Sequence, residues 1–404
     1  MHRQQIPRVR RIPGLFVLRW AACRLRLLPH RKRAQRLRTP RAIRAGPCRN
    51  GFIRLVDEGS TQAPGAIDCD GDYVIPGLIE LHTDNLEKHL MPRAGVLWPA
   101  LPAVLTHDAQ VVAAGITTVF DALSVGDLEE ESVRIETLQG TYDAILAGQA
   151  SGALRADHWI HLRCELAYPH LLEALEPLMN HSSVRLLSLM DHTPGQRQYR
   201  DIQQYRKYYS KNHMSWTEDE FTDVVTRRTD QQATYSKRHE SAVLSMAQGR
   251  DIVLASHDDT DAEQVAYAHR IGVTISEFPT THEAAEAARK HGLATVMGAP
   301  NVVRGGSHSG NVAALELAQA DRLDLLSSDY VPASLLHGAF MLHTQAGWSM
   351  PRAIATVTGN PAKVLSLNDR GQLKPGYRAD VVRMRTVDGL PIVRNVWVRG
   401  ERSF

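Results

Sequence analysis

VIPGLIELHTD, residues 74–84, is the stretch on which the reading of the fold turns. An apolar run of strand length closes on His82 and Asp84, an imidazole and a carboxylate two positions apart. Residues i and i+2 of a strand share a face, so both side chains are placed to reach one ion. Seven further runs follow the same plan: ITTVFDAL (116–123), WIHLRCEL (159–166), VRLLSLMDH (184–192), DIVLASH (251–257), GVTISEF (272–278), ATVMGA (294–299) and LDLLSSD (323–329). Helical stretches lie between them, at Glu129–Ser151, Thr217–Gln248, Ala262–Arg270, Glu283–His291 and Val312–Ala320. Eight strands alternating with helices predict a parallel α/β fold, most simply a (β/α)8 TIM barrel. A doubly wound open sheet is the alternative, but no G-x-G-x-x-G follows the first strand.

In a barrel the C-terminal strand ends meet at one mouth. Six of the eight runs end there in groups that bind metal: His82 and Asp84, then Glu165, His192, His257, Glu277 and Asp329. A lone histidine at a strand end is usually a hydrogen-bonded structural group. Repetition at successive strand ends is what predicts a metal centre. Its expected ligands are His82, Asp84, Glu165, His192, His257 and Asp329, and imidazole with carboxylate suits zinc, manganese or iron. Asp258, Asp259 and Glu277 are expected to support the ligands or serve structure.

The loop GAPNVVRGGSHSGN (298–311) precedes a helix and carries Arg304, Gly305, Gly306, Ser307, His308 and Ser309. Glycines admit a close backbone approach and helix N-termini favour anions, so phosphate or sugar binding competes evenly with a plain flexible turn. The Walker lysine is absent. Lys88 and Arg197 lie in loops after the first and fourth runs and are expected to carry positive charge towards a polyanion. A solvated helix is the structural reading of the segment around Arg197.

The 404 residues carry 47 Lys and Arg against 44 Asp and Glu, for a net charge of +3. The balance is uneven: residues 1–56 hold 16 of the basic residues and no acidic one. Apolar residues at 43% and charged residues at 23% exclude global disorder. Four cysteines without a C-x-x-C pair exclude a disulfide scaffold and fit a reducing, cytoplasmic setting. No apolar run is long enough to span a membrane. Four units are expected: a basic head (1–50), disordered or non-native; an accessory β-segment (51–75); the barrel (76–365); and a second accessory β-segment (366–404). Residues 1–50 show no strand pattern. A nucleic-acid arm, an organellar leader and an unused start codon all compete for the head.

PGLIELHTDNLEKH (76–89), HLRCEL (161–166), SLMDHTPGQRQ (188–198), ASHDDT (255–260), EFPTTHEAAEA (277–287), MGAPNVVRGGSHSGN (297–311) and LSSDYVPASLL (326–336) appear in order. Together they resemble the amidohydrolase superfamily, and within it the ribose-triphosphate diphosphatases of bacterial phosphonate breakdown. The likeness covers about residues 51–404. It implies a cytoplasmic, metal-dependent hydrolase that releases pyrophosphate from a ribose 5-triphosphate and leaves the 5-phosphate. In the family pattern the first-strand His-x-His becomes His82-Thr83-Asp84, and the fourth-strand lysine becomes Glu165. The fifth- and sixth-strand histidines become His192 and His257, and the eighth-strand carboxylate becomes Asp329, the general base. The two exchanges leave one or two ions open. Family members also begin with a strand pair that starts the accessory domain, and its first half is expected to be missing here.

The expected partner is a small-molecule triphosphate, with a homo-oligomer left open. No membrane is expected, and no nucleic acid unless residues 1–50 act. Two rival readings use the same barrel: an amidohydrolase or deaminase acting on a cyclic amide or amine, and a non-catalytic binding member.

Overall fold

The computed structural model describes residues 17–19, 43–45, 48–58, 66–127, 132–200, 202–203, 205–206, 216–307 and 310–404. Eight parallel strands run in chain order. They are β1 (Leu78–Thr83), β2 (Ile116–Val125), β3 (Asp157–Glu165), β4 (Val184–Met190), β5 (Val253–His257), β6 (Ile275–Glu277), β7 (Ala294–Gly298) and β8 (Leu325–Ser327). A parallel bridge between Thr83 and Asp329 brings the last strand back to the first. Main-chain bonds seal it: Asp84 N–H donates to the Asp329 carbonyl (2.9 Å) and Asp329 N–H to that of His82 (3.1 Å). The predicted TIM barrel is the observed fold, and all eight apolar runs are its strands. Parallel strands buried on both faces read as nearly unbroken apolar sequence, which is why the runs were recognisable.

Ile79, Leu81, Phe120, Leu186, Ala255, Ile275, Val296 and Leu325 fill the barrel interior, packed with Ala362, Leu365 and Leu367. Each fully buried aliphatic side chain there contributes roughly 1.5–3 kcal/mol. The mouth therefore stands on an apolar floor, and the polar side chains that face the cavity gather at the C-terminal strand ends.

Capping residues fix where the helices begin. Ser132 caps Val133–Ser151, Asp261 caps Ala262–Arg270 and Thr281 caps His282–His291. Thr217 and Glu220 form a reciprocal capping box at the start of Glu218–Ala247. A cap of this kind contributes about 1 kcal/mol.

Both sides of the barrel sequence feed a four-stranded antiparallel sheet, in the order Glu401–Arg402, Leu390–Val398, Val381–Val387, Tyr73–Pro76. The two hairpins turn at Asp388-Gly389 and Arg399-Gly400, all four residues having positive φ. Two-residue turns of that kind match the twist of paired strands. The chain passes from this sheet into the barrel at Gly77, where an added Cβ would lie 2.1 Å from Thr117 Oγ1.

The expectation that residues 1–50 hold no strand pattern is corrected. Ile43–Ala45 pairs antiparallel with Val56–Glu58, and Cys48–Arg49 with Phe52–Ile53, across a turn at Asn50-Gly51. Val17–Arg19 runs parallel to Ala66–Asp68. The Asn-Gly pair was the signal, hidden among arginines. Among the described residues no helix is long and apolar enough to cross a membrane.

Candidate active site

The strand ends enclose a cavity of about 380 Å³. All six sequence-nominated metal groups line it: His82, Asp84, Glu165, His192, His257 and Asp329. Counted along the barrel, Glu165 ends β3, His192 follows β4 and His257 ends β5. That is one strand earlier for each than the family pattern had placed them.

Glu80 and Glu277 set the geometry from below. Glu80 is fully buried and receives the main-chain N–H groups of His82 (2.7 Å) and Ser328 (2.5 Å), tying β1 to the end of β8. Burial raises its pKa to about 7 despite those hydrogen bonds and the nearby His82. The β1–β2 ladder loses register between Glu80 and Thr83, and His82 there faces the mouth. Glu277, also fully buried, holds two rings at once: His82 Nδ1 lies 2.7 Å from its Oε1 and His257 Nδ1 2.8 Å from its Oε2. The Ser188 hydroxyl donates to the same carboxylate at 2.8 Å. Burial works against its charge, yet the surrounding histidines, His82 foremost, keep it well below the usual carboxylate range. An ionised carboxylate can only accept, so both rings carry Nδ1–H and turn Nε2 away from Glu277. A buried carboxylate behind an imidazole is the usual support for a metal-binding histidine.

Across the mouth His192 Nδ1 lies 2.6 Å from Glu165 Oε2, so a second carboxylate fixes a third ring. His257 Nε2 and His192 Nε2 lie 3.5 and 3.9 Å from Asp258 Oδ2. A tetrahedral ion with bonds near 2.0–2.1 Å needs donors about 3.4 Å apart, so His192, His257 and Asp258 fit a divalent ion closely. Asp258 was expected only to support the ligands, and its close approach to the two rings depends on a backbone feature. Asp258 (φ 55°), Phe278 (φ 56°) and Asp329 (φ 53°), just past β5, β6 and β8, all adopt the left-handed conformation. Such strain is rare outside glycine and concentrates at functional sites.

Burial raises the Asp329 carboxyl to about 6, with the charge of Asp84 adding to it. Asp84 behaves oppositely: burial would raise it, but Arg163, His82, Arg134 and His257 together outweigh that and hold it at about 2. The contact is Arg163 Nη1 to Asp84 Oδ1 at 2.7 Å, while His82 Nε2 is 3.8 Å from the same oxygen.

The nominated substrate-binding residues divide. Arg304, Gly306 and Ser307 line the cavity. Gly305 ends the short helix Ala299–Arg304 in the left-handed conformation and is not among the lining residues. Arg197 is turned away: its guanidinium bonds the His257 carbonyl (2.5 Å) and Asp259 (2.9 Å). Lys88 Nζ bonds the Tyr330 carbonyl and stands over the Tyr330 ring. His308 and Ser309 lie outside the described residues. Arg134 and Arg163, which the sequence reading passed over, line the mouth. Arg163 lies two residues before Glu165 on the same face of β3, so strand periodicity could have found it.

The chain shares 46% identity over 357 residues with the alpha-D-ribose 1-methylphosphonate 5-triphosphate diphosphatase of Escherichia coli K12, covering 88% of this chain and 94% of that one. This chain belongs to the amidohydrolase superfamily, in the family of that diphosphatase. The sequence pattern described as Amidohydrolase family matches residues 255–402. Solved structures agree on the fold of this amidohydrolase. The 5-methylcytosine deaminase of Klebsiella pneumoniae with phosphonocytosine superimposes with a TM-score of 0.58 at 14% identity, covering 97% of this chain and 98% of that one. A mutant N-acetyl-D-glucosamine-6-phosphate deacetylase of Mycobacterium smegmatis, in complex with N-acetyl-D-glucosamine-6-phosphate, gives a TM-score of 0.58 at 14% identity, covering 96% and 98%. At that identity these neighbours speak for the barrel and not for a substrate.

Proposed function

We propose that this amidohydrolase is a metal-dependent diphosphatase that hydrolyses alpha-D-ribose 1-methylphosphonate 5-triphosphate, releasing pyrophosphate and leaving the 5-phosphate. The observation that carries the reading is one cavity shared by three carboxylate-supported imidazoles, the Asp329 carboxylate and the Arg304 loop. The 46% identity to a diphosphatase of that name supports the substrate.

His192, His257 and Asp258 would hold a divalent ion, with His82, Asp84, Glu165 and Asp329 around it as further donors. Zinc is our assignment; manganese and iron accept the same donors, and elemental analysis distinguishes them. When bound, such an ion makes water a better acid and draws charge from phosphoryl oxygens. The protein's own groups do the rest. Asp329 Oδ takes the proton of the attacking water, and its raised pKa suits a group that must both accept and release that proton. Glu277 and Glu165 keep the imidazole Nδ1 protons in place. Arg304 and Ser307 face the substrate from the β7 side of the cavity.

A deaminase of a cyclic base would need a pocket shaped around a planar ring, whereas this lining is dominated by charged and polar groups. We place the enzyme in the cytoplasm, where the buried thiols of Cys69 and Cys164 stay reduced. The test is a pyrophosphate-release assay on the zinc-loaded protein with a ribose 5-triphosphate, run beside ring-opening and deamination assays. Release of pyrophosphate supports the reading; ammonia release or ring opening without it refutes the reading.

A further inference from the structure

Arg163 rises from β3 into the mouth with its side chain only 7% exposed. A buried guanidinium normally spends its five donors on partners. Among the described residues Arg163 has one hydrogen-bond partner, Asp84, and its buried Nε has none. Both features place a cation under the cavity with donors to spare.

Arg134 stands on the same side of the mouth, in the first turn of Val133–Ser151, with its side chain 39% exposed. Glu87 grips it twice, at Nε (2.8 Å) and Nη2 (3.1 Å). Asp84 and Glu87 lie three residues apart at the start of the helix Asn85–Leu90. Each carboxylate therefore holds one guanidinium, and the two cations are close enough for Arg134 to repel Arg163. Two like charges set side by side and both facing a cavity form a ready site for a polyanion, since planar guanidinium forks match phosphate oxygens.

The cavity is asymmetric. On the β7 side Arg304 is exposed, and Ser307 and Asn311 offer neutral groups suited to sugar hydroxyls. On the β2–β3 side the cations run from floor to rim, Arg163 buried and Arg134 half exposed. A cation deep in a low-dielectric site acts most strongly on developing charge.

We propose that Arg163 and Arg134 form the subsite for the β- and γ-phosphates, the pyrophosphate leaving group, and that the ribose end lies towards Arg304 and Ser307. This rests on the diphosphatase reading. In the step concerned, water oxygen bonds to the α-phosphorus and the bridging α–β P–O bond breaks. Its electron pair stays on pyrophosphate beside Arg163, and the water proton passes to Asp329. Arg163 also steadies Asp84, so a positioning role has to be separated from direct contact.

The test is calorimetric titration of stoichiometrically zinc-loaded enzyme with pyrophosphate and, separately, ribose 5-phosphate. Arg163→Gln is expected to weaken pyrophosphate binding by about 10- to 100-fold, the loss of a charge-assisted hydrogen bond, and ribose 5-phosphate binding by less than about threefold. Arg163→Lys should restore only part of the loss, because an ammonium lacks the fork. Arg134→Gln, at the rim, should weaken pyrophosphate by a smaller factor and decides the matter alone if the Arg163 variants fail to fold. Pyrophosphate affinity unchanged, or both ligands weakened equally, overturns the assignment. Failure of the wild-type enzyme to release pyrophosphate from a ribose 5-triphosphate would instead overturn the proposed function.

Discussion

Replacing Glu277 by Gln tests the support beneath the metal site with almost no change of shape. The carboxylate accepts from His82 Nδ1 and His257 Nδ1 at 2.7 and 2.8 Å. Glutamine offers one oxygen and one NH2. The ring that meets the NH2 must accept a hydrogen bond at Nδ1, which moves its proton to Nε2. An imidazole protonated at Nε2 has no lone pair there to give an ion. One of the donors is thereby lost while the cavity keeps its volume. Loss of such support typically lowers metal affinity 10- to 100-fold, about 1.4–2.7 kcal/mol. The assay is a zinc competition titration against a chelator of known affinity, with circular dichroism to verify the fold. Zinc affinity within about threefold of wild type would refute the reasoning, because it would mean that neither ring depends on Glu277 for its tautomer.

Asp329→Asn should keep zinc within a few-fold and cut turnover by at least about 10²-fold; turnover near wild type removes Asp329 as base. The base acts as carboxylate, so wild-type turnover should fall as pH drops through about 6, and the residual activity of Asp329→Asn should lack that acid limb. Gly77→Ala places a methyl 2.1 Å from Thr117 Oγ1 and should cost about 1–3 kcal/mol in urea unfolding; an unchanged midpoint contradicts the close approach. Outside the mouth, buried His158 faces Asp121 at 2.7 Å and Asp108 at 3.3 Å; burial opposes its charge, but Asp121 and Asp108 together outweigh that and lift it from 6.5 to about 10. The sign follows: this pair stabilises the fold fully below pH 6.5, and the contribution fades as pH rises towards 10. Asp121→Asn should therefore destabilise by about 3–5 kcal/mol at pH 6 and less at pH 10; an equal loss at both would contradict the pairing.

Much of this molecule was legible before any coordinates, for physical reasons. Parallel barrel strands are buried on both faces, so LIELH and the runs after it stand out as apolar. Their ends carry the polar groups of the mouth because the packed barrel interior beneath them is apolar. The six nominated groups, His82 to Asp329, are far apart along the chain, yet recurrence at strand ends was enough to collect them on one cavity.

What was missed depends on direction. Arg197 and Lys88 show their charge in sequence, but not that one bonds Asp259 and the other the Tyr330 carbonyl. Asp258 approaches His192 and His257 through a left-handed backbone turn that no periodicity announces. Glu277 could be nominated as support, but its grip on rings from β1 and β5 exists only in the closed barrel. Arg163 was a different omission: it shares a strand face with Glu165, and alternation alone would have placed it in the mouth.

The central claim is that these imidazoles and carboxylates hold a cation and split a triphosphate at one defined bond. Phosphorus NMR of the products formed from a ribose 5-triphosphate by the zinc-loaded protein tests it most directly. The account predicts equal amounts of pyrophosphate and ribose 5-phosphate. Orthophosphate with ribose 5-diphosphate, or no turnover with zinc fully bound, would contradict it.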